Sequence, residues 1–224
     1  MRREPTVVIV PGLRDHVAQH WQTLLEGRLR AQHRPVAAVP PMGRADLDCA
    51  ARVEAIEAVV ARIETPVIVV AHSGGCVMVA HWASRYPRAI AGALLAAPPD
   101  FEQAMPEGYP TLEALDASGW LPVPRAPLPF ASIVAASRND PLARYERVLE
   151  LARAWRSEVV DLGNVGHLNP ASGFGEWPGA DDLIAALVRP AAAREVANES
   201  ASDMTNAASK QGAPHDASET LRRV

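Results

Sequence analysis

The sequence is poor in the residues that mark several specialised protein classes. Its 224 residues include two cysteines, Cys49 and Cys76, a single lysine, Lys210, and 5% aromatic residues. Two cysteines in apolar surroundings are too few for a disulfide framework, and no apolar run approaches the length of a membrane span. The run TVVIV that follows MRREP at the N-terminus is also too short for a secretory signal. We therefore expect a cytoplasmic protein with no membrane segment.

The chain also lacks an excess of positive charge. Its formal net charge is −4 at pH 7 and its pI is about 6.0, so it has no field that would attract nucleic acid or anionic lipid. The histidines are scattered and show neither HExxH nor CxxC spacing, the spacings typical of zinc sites. We expect no nucleic-acid partner, no membrane partner and no metal.

The composition changes at Pro190. Residues 190–224 are rich in Ala, Ser, Asn, Asp and Glu and contain no aromatic residue. Such a segment has too few large apolar side chains to offset the entropy that ordering would cost. The sequence therefore predicts a folded domain over residues 1–189 and a disordered tail over residues 190–224.

The folded part alternates short apolar runs with segments of helical periodicity. The runs are 6–10, 66–71, 90–96, 131–136 and 158–162, with a weaker run at 35–39. Nearly continuous apolar runs are typical of strands buried on both faces of a parallel sheet. The periodic segments predict helices over about 17–30, 46–63, 75–86 and 142–156, and a last one ending before Pro190. This alternation predicts an α/β fold in which a mostly parallel, six-stranded sheet lies between two helical layers.

A serine stands where strand 66–71 is expected to turn into a helix, in the segment HSGGC. In a nucleophile elbow, small neighbouring residues permit a strained turn that exposes the serine hydroxyl. Gly75 matches the last glycine of G-x-S-x-G, whereas Ala71 replaces the first and is still small enough to let the turn close. The sequence thus predicts a nucleophile at Ser73, with the alternative that Ser73 merely caps the next helix.

A serine nucleophile needs a base, and the base needs a carboxylate to orient it. Asp140 follows strand 131–136 and His167 follows strand 158–162. Both would lie at the carboxyl edge of the sheet, and their chain order is the one that this kind of elbow requires. The sequence therefore predicts a triad of Ser73, Asp140 and His167.

Other interpretations exist for each acid and for the histidine. Asp140 could cap the helix that follows it, and His167 could be a loop histidine bonded to backbone. Asp100, at the end of the neighbouring strand, is an alternative acid, whereas Asp161 lies inside a strand and is expected to point into packing. Asp140 is favoured over Asp100, which stays the alternative acid.

An oxyanion also needs hydrogen-bond donors. The backbone N–H of Gly74, directly after the nucleophile, would be one, and the N–H of Leu13, in the glycine turn after strand 6–10, would be the other. The alternative for Leu13 is a plain turn into the next helix.

Substrate contacts are expected from Arg14 and His16 in that same turn and from Trp120. Trp120 belongs to the proline-rich segment 100–130, which is either a lid or a rigid connector whose aromatic residues fill the core. Because little other chain is left to shape a pocket, we expect a small or exposed acyl group as substrate.

Four motifs together are characteristic: PGL with a following HW, AHSGGC, SRNDP and GHLNPASGFGEWPG. They resemble the small serine hydrolases of the retinoblastoma-binding protein 9 type, a compact branch of the α/β-hydrolase superfamily, over about residues 5–188. The resemblance implies an α/β-hydrolase fold with little or no cap, a triad of Ser73, Asp140 and His167, no cofactor, and esterase-like activity. The sequence has no L-x-C-x-E motif, so the pocket-protein partner of the mammalian relative is not expected.

Two further functions are compatible with the same residues. One is thioester hydrolysis or acyl transfer by the same triad. The other is a catalytically weak binding protein, since no acyl pocket is obvious in the sequence. We expect a monomer or a weak homodimer in either case.

Overall fold

The computed structural model describes residues 3–14 and 17–188. The strands are β1 (Thr6–Val10), β2 (Val36–Ala38), β3 (Val67–His72), β4 (Gly92–Ala96), β5 (Ser132–Ala136) and β6 (Glu158–Asp161). The helices are α1 (Trp21–Ala31), α2 (Cys49–Val60), α3 (Gly74–Arg85), α4 (Leu112–Ala117), α5 (Tyr145–Trp155) and α6 (Gly179–Val188), with one turn of 3-10 helix at Pro170–Ser172. The described residues belong to one compact unit, Met1–Val188. The predicted tail, residues 190–224, and the predicted substrate residue His16 lie outside them.

All six predicted strands are present. They form one sheet in the order β2-β1-β3-β4-β5-β6, and every neighbouring pair is parallel. Alternate residues of each strand point into two separate cores, as the period of two along a strand requires. In β1, Val8 and Val10 pack on the side of α2, α3 and α5, whereas Val7 and Ile9 pack on the side of α1 and α6. The predicted three-layer α/β fold is confirmed.

The last strand differs from its prediction. Every residue of β1, β3, β4 and β5 is buried, but β6 forms an edge of the sheet and its residues are mostly exposed. Asp161 was expected to point into the packed interior, and this prediction is wrong. It is exposed and accepts hydrogen bonds from the Arg138 guanidinium. The apolar run could not reveal that β6, among the described residues, pairs with β5 alone.

Capping residues account for the shorter helices. The periodic pattern begins near residue 17, but α1 begins at Trp21 because the His20 side chain accepts a hydrogen bond from the Gln22 N–H. In the same way, Asp48 caps α2 by accepting from the Ala51 N–H. The short helix α4 was not predicted. None of the helices within residues 3–14 and 17–188 is long and apolar enough to cross a membrane.

The strand order creates a crevice beside Ser73. From β1 the chain runs outward to β2 and then returns past β1 to β3. Where the direction of winding reverses, loops leave the carboxyl ends of adjacent strands in opposite directions, and a crevice opens between them. The loop Pro11–Arg14 follows β1 and Ser73 follows β3, so both lie at this point.

Candidate active site

Ser73 occupies a strained turn between β3 and α3. Its backbone angles are φ 54° and ψ −131°, a conformation that costs a residue with a side chain about 1–3 kcal/mol. The Ser73 N–H donates to the carbonyl oxygen of Ala96 in β4 at 2.9 Å, which ties the turn to the sheet. The Ser73 side chain makes no capping hydrogen bond to α3. Ser73 therefore occupies the N-cap position of α3 without its hydroxyl serving as a cap.

Two glycines after Ser73 let the loop that follows β1 pass directly over the turn. A Cβ atom at Gly75 would lie 2.6 Å from the Pro11 carbonyl oxygen, far inside van der Waals contact. A Cβ atom at Gly74 would lie 2.8 Å from the Leu13 side chain. The pair of small residues thus brings Leu13 and Gly74, the two predicted oxyanion donors, next to each other.

Ser73, His167 and Asp140 form a continuous chain of hydrogen bonds. The Ser73 Oγ lies 2.8 Å from His167 Nε2, and His167 Nδ1 lies 2.8 Å from Asp140 Oδ2. The His167 and Asp140 side chains are only 4% and 2% exposed, so little water competes for these bonds. This geometry can move the hydroxyl proton of Ser73 to His167 while the carboxylate holds the imidazole in one tautomer.

The structure also decides between Asp140 and Asp100 as the acid that contacts His167. Asp140 does not cap α5, which begins at Tyr145 after Arg144; its second oxygen accepts from the Leu142 N–H at 2.8 Å. Asp100 is bound elsewhere, because Arg147 donates to its Oδ2 at 3.0 Å and the Glu102 N–H donates to its Oδ1 at 3.2 Å. Asp140, not Asp100, is the acid in contact with the histidine.

The loop that carries His167 is fixed on both sides of that residue. The His167 N–H donates to Ser172 Oγ at 3.0 Å, and the Gly166 N–H donates to Asn139 Oδ1 at 2.7 Å. Gly166 has φ +62°, and a Cβ atom there would lie 2.5 Å from the Ser172 side chain. Only glycine fits this turn, which aims His167 at Ser73.

His72 is a support for the site that sequence reasoning missed. It is buried, and its Nε2 lies 2.9 Å from the His167 carbonyl oxygen. Burial, with the nearby His167 and His20 rings, holds the pKa of His72 well below its ordinary value. A neutral His72 with its proton on Nε2 donates to that carbonyl. The signal was available, since His72 ends β3 directly before the nucleophile.

A cleft of about 300 Å³ opens over Ser73. It is lined on one side by the loop after β1 and on the other by residues between β4 and β5. Its mostly apolar wall includes Leu13, Val17, Leu47, Phe101, Met105, Tyr109 and Pro110. A Cβ atom at Gly12 would lie only 3.5 Å from Ser73 Oγ, so the loop after β1 directly borders the space in which a substrate carbonyl would bind.

Of the predicted substrate residues that the structure describes, Arg14 lies at the cleft and Trp120 does not. Arg14 lines the cleft; its Nη2 donates to the Gly108 carbonyl oxygen at 2.6 Å, and its guanidinium lies 4.1 Å from the Tyr109 ring centre. Trp120 does not reach the cleft surface. It is fully buried, with its Nε1 donating to the Leu47 carbonyl oxygen at 2.7 Å.

The prediction that Trp120 contacts substrate is wrong, because the proline-rich segment packs its aromatic side chains into the core. Trp120 lies edge to face with Phe101, 5.4 Å between ring centres, and Phe101 is the aromatic residue that lines the cleft. Both rings are buried in the core on the side of α2 and α3. Of the two alternatives predicted for segment 100–130, a lid or a connector whose aromatic residues fill the core, Phe101 and Trp120 fit the connector. Arg44 and Asn169 also line the cleft and were not predicted, because nothing in a loop sequence shows which way it folds back.

The described residues contain no group of three or more histidine, cysteine, aspartate or glutamate side chains that could hold a metal ion. The side chains that the site brings together are instead a hydroxyl, an imidazole and a carboxylate, which can act as a nucleophile, a base and the acid that orients the base.

Comparisons with known proteins agree with the fold and identify the family. A family model described as serine hydrolase matches residues 7–186. A crystal structure of a YdeN-like hydrolase from Pectobacterium atrosepticum is similar, with 33% identity, 83% of this chain and 91% of that chain covered, and a TM-score of 0.67. The sequence matches no curated relative.

Two more distant structures show the same fold. The ydeN gene product of B. subtilis is 17% identical, with 82% of this chain and 98% of that chain covered and a TM-score of 0.65. Est1E from Butyrivibrio proteoclasticus, solved with ferulic acid bound, is 12% identical, with 82% of this chain and 86% of that chain covered and a TM-score of 0.60. The chain has the α/β-hydrolase fold and belongs to the serine hydrolase family.

Proposed function

We propose that this serine hydrolase is a carboxylesterase-like enzyme that cleaves small esters through an acyl-enzyme on Ser73. The observation that carries the proposal is the unbroken hydrogen-bond chain from Ser73 through His167 to Asp140, located at the strained turn beside an open cleft. A hydroxyl, an imidazole and a buried carboxylate in this order are the parts that acyl transfer requires.

The proposed reaction has two halves. In the first, Ser73 Oγ attacks the ester carbonyl while His167 Nε2 takes its proton, then returns that proton to the departing alcohol. In the second, water attacks the acyl-enzyme with His167 again as base, and Ser73 is released. Asp140 stabilises the imidazolium that forms in each half.

The negative oxygen of each tetrahedral intermediate needs donors that are already in place. The N–H groups of Leu13 and Gly74 are the proposed pair, since the two residues are in contact beside Ser73. Donors fixed before the reaction need no reorganisation when the charge develops, which is why such groups contribute strongly to catalysis.

The shape of the cleft supports a small substrate. Phe101 and Trp120 fill the core instead of forming a cap, and the cleft has a volume of only about 300 Å³. We infer a relationship to the retinoblastoma-binding protein 9 type within the serine hydrolases, a cytoplasmic location, and a monomer or weak homodimer with no nucleic-acid partner.

Labelling with a fluorophosphonate probe tests the nucleophile. We expect the probe to attach to Ser73 and labelling to disappear in Ser73→Ala. Attachment at a different residue, or no attachment to the folded protein, would contradict the proposal.

Turnover of para-nitrophenyl acetate separates an enzyme from a binding protein of the same fold. We expect the wild type to be far faster than His167→Ala, because the base is lost. Equal rates would favour the binding protein. Adding methanol as a second acceptor distinguishes hydrolysis from acyl transfer, since a transferase would form mainly methyl acetate.

A further inference from the structure

The charged side chains among the described residues that line the cleft are positive. The described residues that line the cleft include Arg14 and Arg44 but no aspartate or glutamate. The chain as a whole is acidic, with a formal net charge of −4. The cleft therefore departs in sign from the protein that contains it.

The two arginines also differ from most others in the described part of the chain. Arginines such as Arg28, Arg138 and Arg147 are paired with carboxylates, as are several more. Arg14 and Arg44 form no ion pair with any residue in ranges 3–14 and 17–188. Within the part of the chain that the structure describes, no carboxylate is paired with either of these two positive charges of the cleft.

Arg14 is held in place by uncharged partners. Its Nη2 donates to the Gly108 carbonyl oxygen, and the guanidinium lies over the Tyr109 ring. One of its five N–H groups is thus used to join the two walls of the cleft, and the rest remain for a ligand. Arg44, which is exposed and makes no hydrogen bond to the described residues, has its whole planar fork available.

We propose that the cleft binds an ester that carries a carboxylate, held by Arg44 with help from Arg14 while the ester carbonyl lies at Ser73. This inference rests on the proposed esterase function. A guanidinium matches a carboxylate with two parallel N–H···O bonds. The apolar side chains of Leu47, Met105 and Tyr109 also line the cleft and can contact the uncharged part of the ester.

Matched ester pairs test the inference and show which half of the substrate carries the charge. For the leaving group, the pair is para-acetoxybenzoate and its neutral isostere para-acetoxybenzamide. For the acyl group, the pair is the mono-para-nitrophenyl ester of adipic acid and para-nitrophenyl hexanoate. Each kcat/KM is divided by the rate of hydroxide hydrolysis of the same ester, which removes differences in intrinsic reactivity.

We expect the anionic ester to be preferred by about tenfold in at least one pair, and the preference to shrink as salt is added. Arg44→Gln should bring the ratio close to one, and Arg44→Lys should keep part of it. Arg62→Gln is the matched control: Arg62 is exposed and forms no ion pair with the described residues, but it does not line the cleft, so the ratio should not change.

The outcomes separate the two proposals. If the neutral esters are hydrolysed with no anionic preference, or if Arg44→Gln leaves the preference intact, the carboxylate inference is overturned and the esterase remains. If neither member of a pair is hydrolysed and the fluorophosphonate probe does not label Ser73, both proposals fail.

Discussion

The cleft has a floor and a rim that are built in different ways. The floor is formed by Ser73 and His167, with Asp140 behind His167. The His167 and Asp140 side chains are almost fully buried, Ser73 is half-buried, and hydrogen bonds link all three. The rim is formed by the exposed Arg14 and Arg44 and the half-buried Tyr109, all of which lie in loops. A hydrogen-bonded floor can hold reacting atoms in one geometry, whereas an exposed rim can change with substrate. The proposed chemistry and the proposed selectivity are therefore located in separate parts of the cleft.

Loss of a floor residue should have the largest effect. We expect Ser73→Ala and His167→Ala each to lower kcat for para-nitrophenyl acetate by about a thousandfold or more, because groups of a triad act as one unit. The double variant should be scarcely worse than either single one. Stopped-flow or steady-state absorbance measures this directly, and additive losses would show that the two residues act independently.

The next largest effect separates the two candidate acids. Asp140→Asn preserves shape but removes the charge that stabilises the imidazolium, so we expect kcat to fall by about a hundredfold or more. Asp100→Asn is the control, since Asp100 is bonded to Arg147 and not to His167, and kcat should change little. A greater loss of kcat in Asp100→Asn than in Asp140→Asn would show that the assignment of Asp140 as the acid is wrong.

The support beneath the floor should be sensitive to pH. Burial keeps the pKa of His72 low in the folded protein, while in the unfolded chain it returns to about 6.5. As the pH falls below that value, His72 binds a proton in the unfolded chain but not yet in the folded protein. Protonation therefore stabilises the unfolded state, and the free energy of unfolding decreases. We expect the urea midpoint to drop between about pH 7.5 and pH 5.5, and the drop to be smaller in His72→Asn.

A control for this measurement is His33→Asn, at an exposed position away from the cleft with φ +57°, which asparagine tolerates. It should leave the pH dependence as it is. His81, whose pKa burial also lowers, would account for the part that persists in His72→Asn. An identical pH dependence in the wild type and His72→Asn would contradict a neutral, buried His72.

The smallest effect concerns strain. Both Ser73→Gly and Ser73→Ala remove the nucleophile, but glycine adopts φ 54° freely. Ser73→Gly should therefore be about 1 kcal/mol more stable than Ser73→Ala in urea unfolding. Ser84, inside α3, gives the opposite control, because there glycine should be less stable than alanine. Equal stability of the two Ser73 variants would mean that the turn stores no strain.

The floor could be predicted from the sequence because each of its residues follows a strand. Parallel strands bring their carboxyl ends to one edge, so an ordered Ser73, Asp140 and His167 after three apolar runs are brought together by topology alone. The sheet and its layers were predictable for the same reason, since buried strands and amphipathic helices leave distinct patterns.

The rim and the edge of the sheet were not predictable in this way. Arg44 lies in a loop whose path depends on tertiary packing, and Trp120 was expected at the cleft although its ring fills the core. Likewise, the exposure of Asp161 depends on the place of β6 at an edge of the sheet that residues 3–14 and 17–188 form. Strand order and loop paths are set by long-range contacts, which local sequence patterns do not encode.

Mass spectrometry of the protein mixed rapidly with para-nitrophenyl acetate and quenched in acid tests the central claim most directly. The account predicts a transient acetylated protein with the acetyl group on the peptide that contains Ser73, absent in Ser73→Ala and formed far more slowly in His167→Ala. Acetyl groups found only elsewhere, or turnover with no acetylated Ser73 at any time, would contradict it.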